Sequence, residues 1–229
     1  IVLTTPVIRC LKQQVAGAEV HYCTKKSFAS VIEHNPWIDK RFFLGDNLSG
    51  LLKDLKKEKY DAVIDLHHNL RTFRIKQSLG VKSYSFDKLN FEKWLIVNFK
   101  INKLPQKHIV DRYMETAKSF GVVNDGKGLE YFLSPDDGKA VESLPENFRN
   151  GYIAFVIGAK HATRRLPLDK MIEVCSKLSK PIILLGGKED FEMGESIIKS
   201  LHVAQPGTIF NSCGKFKLNQ SAALLKFAD

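Results

Sequence analysis

Three stretches of the chain concentrate residues able to hold phosphate or sugar hydroxyls, and each follows a short apolar run. In Ile157-Gly158-Ala159-Lys160-His161-Ala162-Thr163-Arg164-Arg165-Leu166-Pro167, Gly158 allows close backbone approach, Thr163 offers a hydroxyl, and Arg164 and Arg165 offer charge-assisted donors. A helix entered through Pro167 adds the partial positive charge of its N-terminus. A basic surface loop also explains a bare Arg-Arg pair, and is the commoner case. In Leu185-Gly186-Gly187-Lys188-Glu189-Asp190, Glu189 can accept hydrogen bonds from ribose hydroxyls. A glycine turn with two acids suited to a helix dipole explains it equally. Asn211-Ser212-Cys213-Gly214-Lys215-Phe216-Lys217-Leu218 offers backbone groups and the Phe216 ring to an adenine, or is a plain strand-to-helix connection.

The first half has its own candidates. Asp65-Leu66-His67-His68-Asn69-Leu70-Arg71-Thr72-Phe73-Arg74 follows another apolar run, and Arg71 and Arg74, one helical turn apart, can grip an anionic acceptor. His67 and His68 are adjacent, so they do not share a helix face, and no third ligand is spaced for zinc; a metal site is not expected. His108 and Arg112 stand at i, i+4 on one helix face, with Asp111 assigned to the exposed polar side. P-loop, G-x-G-x-x-G, G-x-S-x-G and H-E-x-x-H patterns do not occur, which removes the main support for kinase, dehydrogenase, serine-hydrolase and zinc-protease readings.

The elements that must position these groups alternate between short β-branched or aromatic runs and helical periods, the order of a parallel sheet with crossover helices. Strands are predicted near 19–23, 41–44, 61–66 and 82–85, with helices near 6–16, 27–34, 48–57 and 70–79. A helix over 108–120 carries Val110, Tyr113, Met114, Ala117 and Phe120 on one face and stops at Gly121. From 125 to 150 the chain reads as polar and turn-rich, so a domain boundary is set there, giving domains 1–147 and 148–229. The alternation then restarts: strands 152–157, 182–185 and 208–211, helices 168–178, 191–201 and 218–228. The first helix has no strand before it and the second unit has three strands. The sequence therefore reads as a fragment, missing its first strand and truncated in its C-terminal domain.

A 229-residue chain with 44% hydrophobic and 26% charged residues is an ordinary globular composition, which excludes low-complexity and coiled-coil classes. The longest apolar stretches fall far short of the roughly 20 residues of a membrane-spanning helix. Cys10, Cys23, Cys175 and Cys213 are scattered without a C-x-x-C pair, as suits reduced thiols in a cytosol. The net charge of +10 favours anionic partners: nucleotides, phosphorylated glycolipids, an anionic membrane surface or nucleic acid. Lys and Arg are spread over both halves without a recognition motif, which argues against nucleic acid.

Taken together these residues resemble glycosyltransferase family 9, the ADP-heptose:lipopolysaccharide heptosyltransferases. The opening Ile1-Val2-Leu3-Thr4-Thr5-Pro6-Val7-Ile8-Arg9 looks like the segment that follows a Gly-Asp pair in that family. The stretch 157–167 looks like its Gly-Ala…Lys-Arg-Trp-Pro loop, and Gly186 to Asp190 like its Gly-Gly-x-Glu turn; 108–113 and 211–222 match as well. The resemblance implies an α/β fold of the GT-B type with two Rossmann-like domains, the acceptor on the N-terminal one and the nucleotide-sugar on the C-terminal one. It implies inverting transfer of heptose from ADP-heptose to the lipopolysaccharide inner core, without metal or other cofactor, in the cytoplasm and peripherally at the inner membrane.

Carried over residue by residue, donor binding falls to Gly158, Thr163, Arg164, Arg165, Glu189, Lys215 and Phe216: Thr163 and Arg164 on phosphate, Glu189 on ribose, Lys215 with Phe216 at the adenine edge. Acceptor binding falls to Arg71, Arg74, His108 and Arg112. The family's catalytic Asp belongs to the Gly-Asp pair and would precede Ile1, so the 229-residue chain alone is expected to be inactive. Arg164 stands where Lys is usual, and Leu166 where Trp is usual. The alternatives are a nucleotide-sugar epimerase of the same architecture and a family member using another sugar donor.

Overall fold

A computed structural model describes residues 1–201 and 207–229. Its contacts divide the chain between Phe132 and Leu133, earlier than the boundary near 148 expected from composition.

In the unit Ile1–Phe132, α1 (Thr5–Gln14) is followed by β1 (His21–Lys25), α2 (Ala29–Ile32), β2 (Lys40–Leu44), α3 (Leu48–Lys57), β3 (Ala62–Asp65), α4 (Leu70–Leu79), β4 (Lys82–Ser85), α5 (Asn90–Phe99) and α6 (Ile109–Met114). The strands form two parallel pairs, β1 with β2 from His21 opposite Lys40, and β3 with β4 from Ala62 opposite Lys82. Every residue of α1 from Thr5 to Cys10 is buried, and the helix serves two cores. Val7 and Cys10 pack with Val110, Met114, Ala117 and the partly buried Ile64. Ile8 packs with Ile32, Ile38 and the partly buried Tyr22. On β2 and α3, Phe42, Leu51 and Leu55 make a third cluster, the two leucines at i, i+4 on one helix face.

The unit is closed by a buried ion pair. Arg9 is 1% exposed and donates through Nε and Nη2 to both oxygens of Asp125 at 2.8 and 2.7 Å, while its Nη1 lies 2.8 Å from Glu130. Hydrogen bonding to Arg9 holds the Asp125 carboxyl well below its ordinary value. The helix expected over 108–120 is shorter than its apolar period suggested: α6 gives way to 3-10 turns over Glu115–Phe120, which end at Gly121 with φ +74°.

In the unit Leu133–Asp229, α7 (Pro135–Glu142), β5 (Ile153–Val156), α8 (Leu168–Ser176), β6 (Ile182–Leu185), α9 (Phe191–Leu201), β7 (Ile209–Asn211) and α10 (Leu218–Lys226) follow in order. The three strands make one parallel sheet, β5-β6-β7. Central β6 is buried along its whole length, as expected of a strand covered on both faces. Its alternation sends Ile182 and Leu184 into a core with Met171, Cys175 and Ile197. It sends Ile183 and Leu185 into another with Ala140, Leu144, Tyr152 and Leu224. The Tyr152 hydroxyl donates to the Leu224 carbonyl at 2.7 Å, satisfying its one polar atom in that core.

Helix α7 corrects the reading of 125–150 as turn-rich throughout. Ser134 accepts from the Asp137 N–H at 3.2 Å and donates its own N–H to Asp137 Oδ2 at 2.9 Å, with Pro135 opening the helix. Ser-Pro-Asp-Asp is thus a capping box rather than a turn. The helix carries Ala140 into the second unit's core, which moves the boundary ahead of it. Helix α5 was likewise not expected from the sequence.

Candidate functional site

In the second unit all three strands are parallel, so the segments leaving their carboxyl ends emerge on one edge, where open α/β sheets bind ligands. These segments are the three stretches singled out by residue type. They are knit together by Asp190, 2% exposed, whose Oδ2 accepts the Gly187 N–H at 2.9 Å and whose Oδ1 lies 3.4 Å from Arg165 Nη2. Arg165 also donates through Nε to the Ala159 carbonyl at 2.6 Å. The β5 and β6 loops are therefore braced through one carboxyl group.

The glycines allow this approach. A Cβ on Gly158 would fall 2.0 Å from Asp190 Oδ2, and one on Gly186 would fall 2.9 Å from Cys213 Sγ. Gly214 has φ +70° and a Cβ there would meet the Lys188 Cα at 2.9 Å; its N–H donates to the Gly186 carbonyl at 3.1 Å. The β6 and β7 loops thus touch backbone to backbone, which requires glycine on both sides.

Beside this junction lies an open groove of about 390 Å³ lined by Lys188, Phe191, Glu192, Cys213, Gly214 and Lys215. Two lysines and an aromatic ring suit an anion joined to a flat base. Lys215 Nζ stands 4.5 Å over the Phe210 ring, which fixes its direction. Burial pushes the Cys213 thiol up to about 11, so it is a neutral wall rather than a nucleophile.

Of the expected donor residues, Gly158, Arg165, Glu189 and Lys215 gather at this edge. The Glu189 side chain folds back over Gly187, where a Cβ would meet its Oε2 at 2.4 Å. Thr163 and Arg164 are exposed on the single 3-10 turn Ala162–Arg164. Arg165 is turned inward as a brace. Phe216 packs against the core with Leu144 and Leu224, and the ring on the groove is Phe191. Lys188, Asp190 and Phe191 were not singled out as site residues. The signal for Asp190 was its i, i+3 spacing from Gly187, which makes the helical turn's cap.

In the first unit, Asp65 is buried at the end of β3. Its Oδ1 accepts the His67 and His68 N–H groups at 3.0 and 2.7 Å, and its Oδ2 lies 3.0 Å from Lys76 Nζ. Burial raises its pKa, but the donors of His68, Lys76, Thr72 and His67 outweigh it and hold the group below its ordinary value. This knot positions the Asn69 capping box that starts α4, and Arg71 and Arg74 stand exposed in its first turns. His68 Nδ1 lies 2.9 Å from the Phe86 carbonyl oxygen. Arg112 covers the Phe86 ring at 4.8 Å and donates to the Asp87 carbonyl at 2.6 Å. Arg112 is thus held as a cross-brace. His108 caps α6, accepting the Val110 N–H at 3.3 Å, and lines a cavity of about 220 Å³ with Pro6, Asn124 and Gly126.

Among the described residues, no group of three or more His, Cys, Asp and Glu side chains is placed to share a metal ion, and no helix is long and apolar enough to cross a membrane.

Comparison with known proteins adds a lineage to this geometry. Residues 49–229 match the profile of glycosyltransferase family 9 (heptosyltransferase). The chain is 22% identical over 253 aligned positions to lipopolysaccharide heptosyltransferase 1 of Campylobacter coli, covering 100% of this chain and 73% of that protein. The glycosyl transferase family 9 structure from Veillonella parvula superposes with a TM-score of 0.76 at 22% identity, over 99% of this chain and 69% of that one. An E. coli heptosyltransferase solved with ADP gives 0.69 at 18% identity, over 99% and 74%. The α/β architecture with parallel sheets is that of the GT-B type.

Proposed function

Since the chain belongs to glycosyltransferase family 9, we propose that it acts in inverting transfer of heptose from ADP-heptose to a phosphorylated glycolipid, the lipopolysaccharide inner core. The acceptor hydroxyl attacks the anomeric carbon from the face opposite the diphosphate. A carbon–oxygen bond forms there as the bond to the diphosphate oxygen breaks. ADP leaves with the electron pair, and the hydroxyl proton passes to a carboxylate base, the role that the family resemblance gives to the Asp ahead of Ile1, so the 229 residues by themselves are expected to bind the donor without turning it over.

The observation that carries this reading is the groove at the β6 and β7 ends, where Lys188 and Lys215 stand beside the glycine junction of Gly186 and Gly214. Lysine charge in a groove with close backbone approach stabilises a leaving diphosphate as its charge grows, without requiring a metal. Arg164 adds charge from the neighbouring loop, Glu189 takes the ribose, and Phe191 lies against the base. The E. coli relative solved with ADP supports a donor of this class. Arg71 and Arg74 suit acceptor phosphates, and the reaction belongs on the cytoplasmic side of the inner membrane.

Calorimetric titration tests this. ADP, and then ADP-heptose, is expected to bind the chain, with Lys188→Ala and Lys215→Ala each weakening ADP about tenfold, the loss of one charge-assisted contact. Binding of another nucleotide in place of ADP would remove the heptose assignment.

A further inference from the structure

Helix α5 and the segment after it form a surface that the proposed transfer chemistry does not use. None of the residues of α5 is buried. Phe91 and Val97 are 66% and 69% exposed, Trp94 is half exposed, and Phe99 and Ile101 are exposed as well. The aromatic rings are ordered against one another: Phe91 stacks on Trp94 at 6.1 Å and Trp94 meets Phe99 edge-on at 5.2 Å. Helices in globular proteins owe their stability to packing of an apolar face, and this one lies open to solvent. The base of the segment is anchored, because Phe86 is buried and Arg112 holds the Asp87 carbonyl.

The charge around the patch identifies what covers it. Residues 88–107 contain five lysines, Lys88, Lys93, Lys100, Lys103 and Lys107, against the single acid Glu92. Lys107 is paired with Glu115, which leaves four beside the aromatic ladder. Protein–protein interfaces are depleted of lysine around their apolar centres, whereas Trp and Phe flanked by Lys are what an anionic lipid interface selects. The geometry points to α5 and residues 100–103 as a docking surface for an anionic lipid bilayer, the aromatic rings entering at headgroup depth and the lysines facing acidic headgroups. The surface leaves the carboxyl end of β4, the strand paired with β3, after which Arg71 and Arg74 begin α4. Its use, setting those arginines beside a lipid-borne acceptor, rests on the proposed function; the lipid contact rests on the patch itself.

Flotation of the 229-residue chain with vesicles is the test. The chain should float with phosphatidylcholine–phosphatidylglycerol vesicles, not with phosphatidylcholine alone, and less as salt rises. Lys93→Glu and Lys100→Glu should each lower binding at least about fivefold. Phe91→Ser with Trp94→Ser should abolish it while circular dichroism stays unchanged. Trp emission should shift to the blue on binding, and Trp94→Phe should remove that shift. Equal flotation on neutral vesicles overturns the proposal, as does failure to float by a chain that is dimeric in solution and becomes monomeric on Phe91→Ser with Trp94→Ser. The ADP titration is a separate readout: a chain that floats without binding ADP sinks the donor assignment and leaves the lipid surface standing.

Discussion

At the scale of single residues, Asp190 is the group on which the candidate donor site depends. It accepts from the Gly187 backbone and faces Arg165, so its removal frees the turn that carries Lys188 and Glu189. Asp190→Ala is expected to lower stability by about 1 kcal/mol, the loss of the hydrogen bond from the half-buried Gly187 N–H, and to weaken ADP binding more than Glu189→Ala does. Thermal melts and titration of the two variants measure this; an unchanged ADP affinity in Asp190→Ala would show that the loops hold without the brace. Gly158→Ala sets a methyl against the same carboxyl group and is expected to cost about 1–3 kcal/mol by overpacking. Rings and charges at this edge were legible as types, since Gly158 and Lys215 follow the carboxyl ends of β5 and β7 as the order of elements implies. Their orientation was not: Phe216 and Phe191 lie on the same edge, and core packing decides which ring faces the groove.

At the scale of elements, α7 shows how turn chemistry and cap chemistry share residues. Ser, Pro, Asp and Gly favour both turns and the first turn of a helix, and a downstream apolar residue reaching a core decides between them. Here Ala140 reaches one, and Leu144 beyond the helix joins it. Ser134→Ala should destabilise the second unit by about 1 kcal/mol through loss of the cap. Gly138 has ordinary backbone angles within the helix and open space where its Cβ would stand. Gly138→Ala should therefore stabilise by about 0.5–1 kcal/mol. Opposite shifts in melting temperature for the two variants would establish the helix in solution; the absence of both would return the segment to a series of turns.

At the scale of the molecule, the Arg9–Asp125–Glu130 cluster joins the first helix to a segment 116 residues later and ties the first unit's stability to pH. Arg9 depresses the Asp125 pKa below its ordinary 3.8. The stabilisation is therefore complete above about pH 4 and is lost as pH falls from there toward the depressed folded value. Asp125→Asn should lose that slope, its acid unfolding limb flattening below about pH 4 relative to the unsubstituted chain. Arg9→Met should cost about 3 kcal/mol at neutral pH, the low end for breaking a buried pair, because Asp125 and Glu130 keep some access to water. Denaturant melts across acidic pH check both; parallel limbs for Asp125→Asn and the unsubstituted chain would refute the linkage.

What the sequence alone determined was the alternation of strand and helix, the parallel sheets it entails and the edge on which the glycine-rich and basic stretches lie. These follow from hydrophobic period and from the direction of parallel strands, both local rules. The resemblance to glycosyltransferase family 9 was also carried by short stretches whose residues are readable one by one. Only the tertiary structure decided that Arg165 and Arg112 serve as braces, that Asp190 joins two loops, that the division falls ahead of α7, and that α5 leaves its aromatic residues open. Each depends on which side chains from distant parts of the chain meet, and long-range packing is not encoded in any window short enough to show a period.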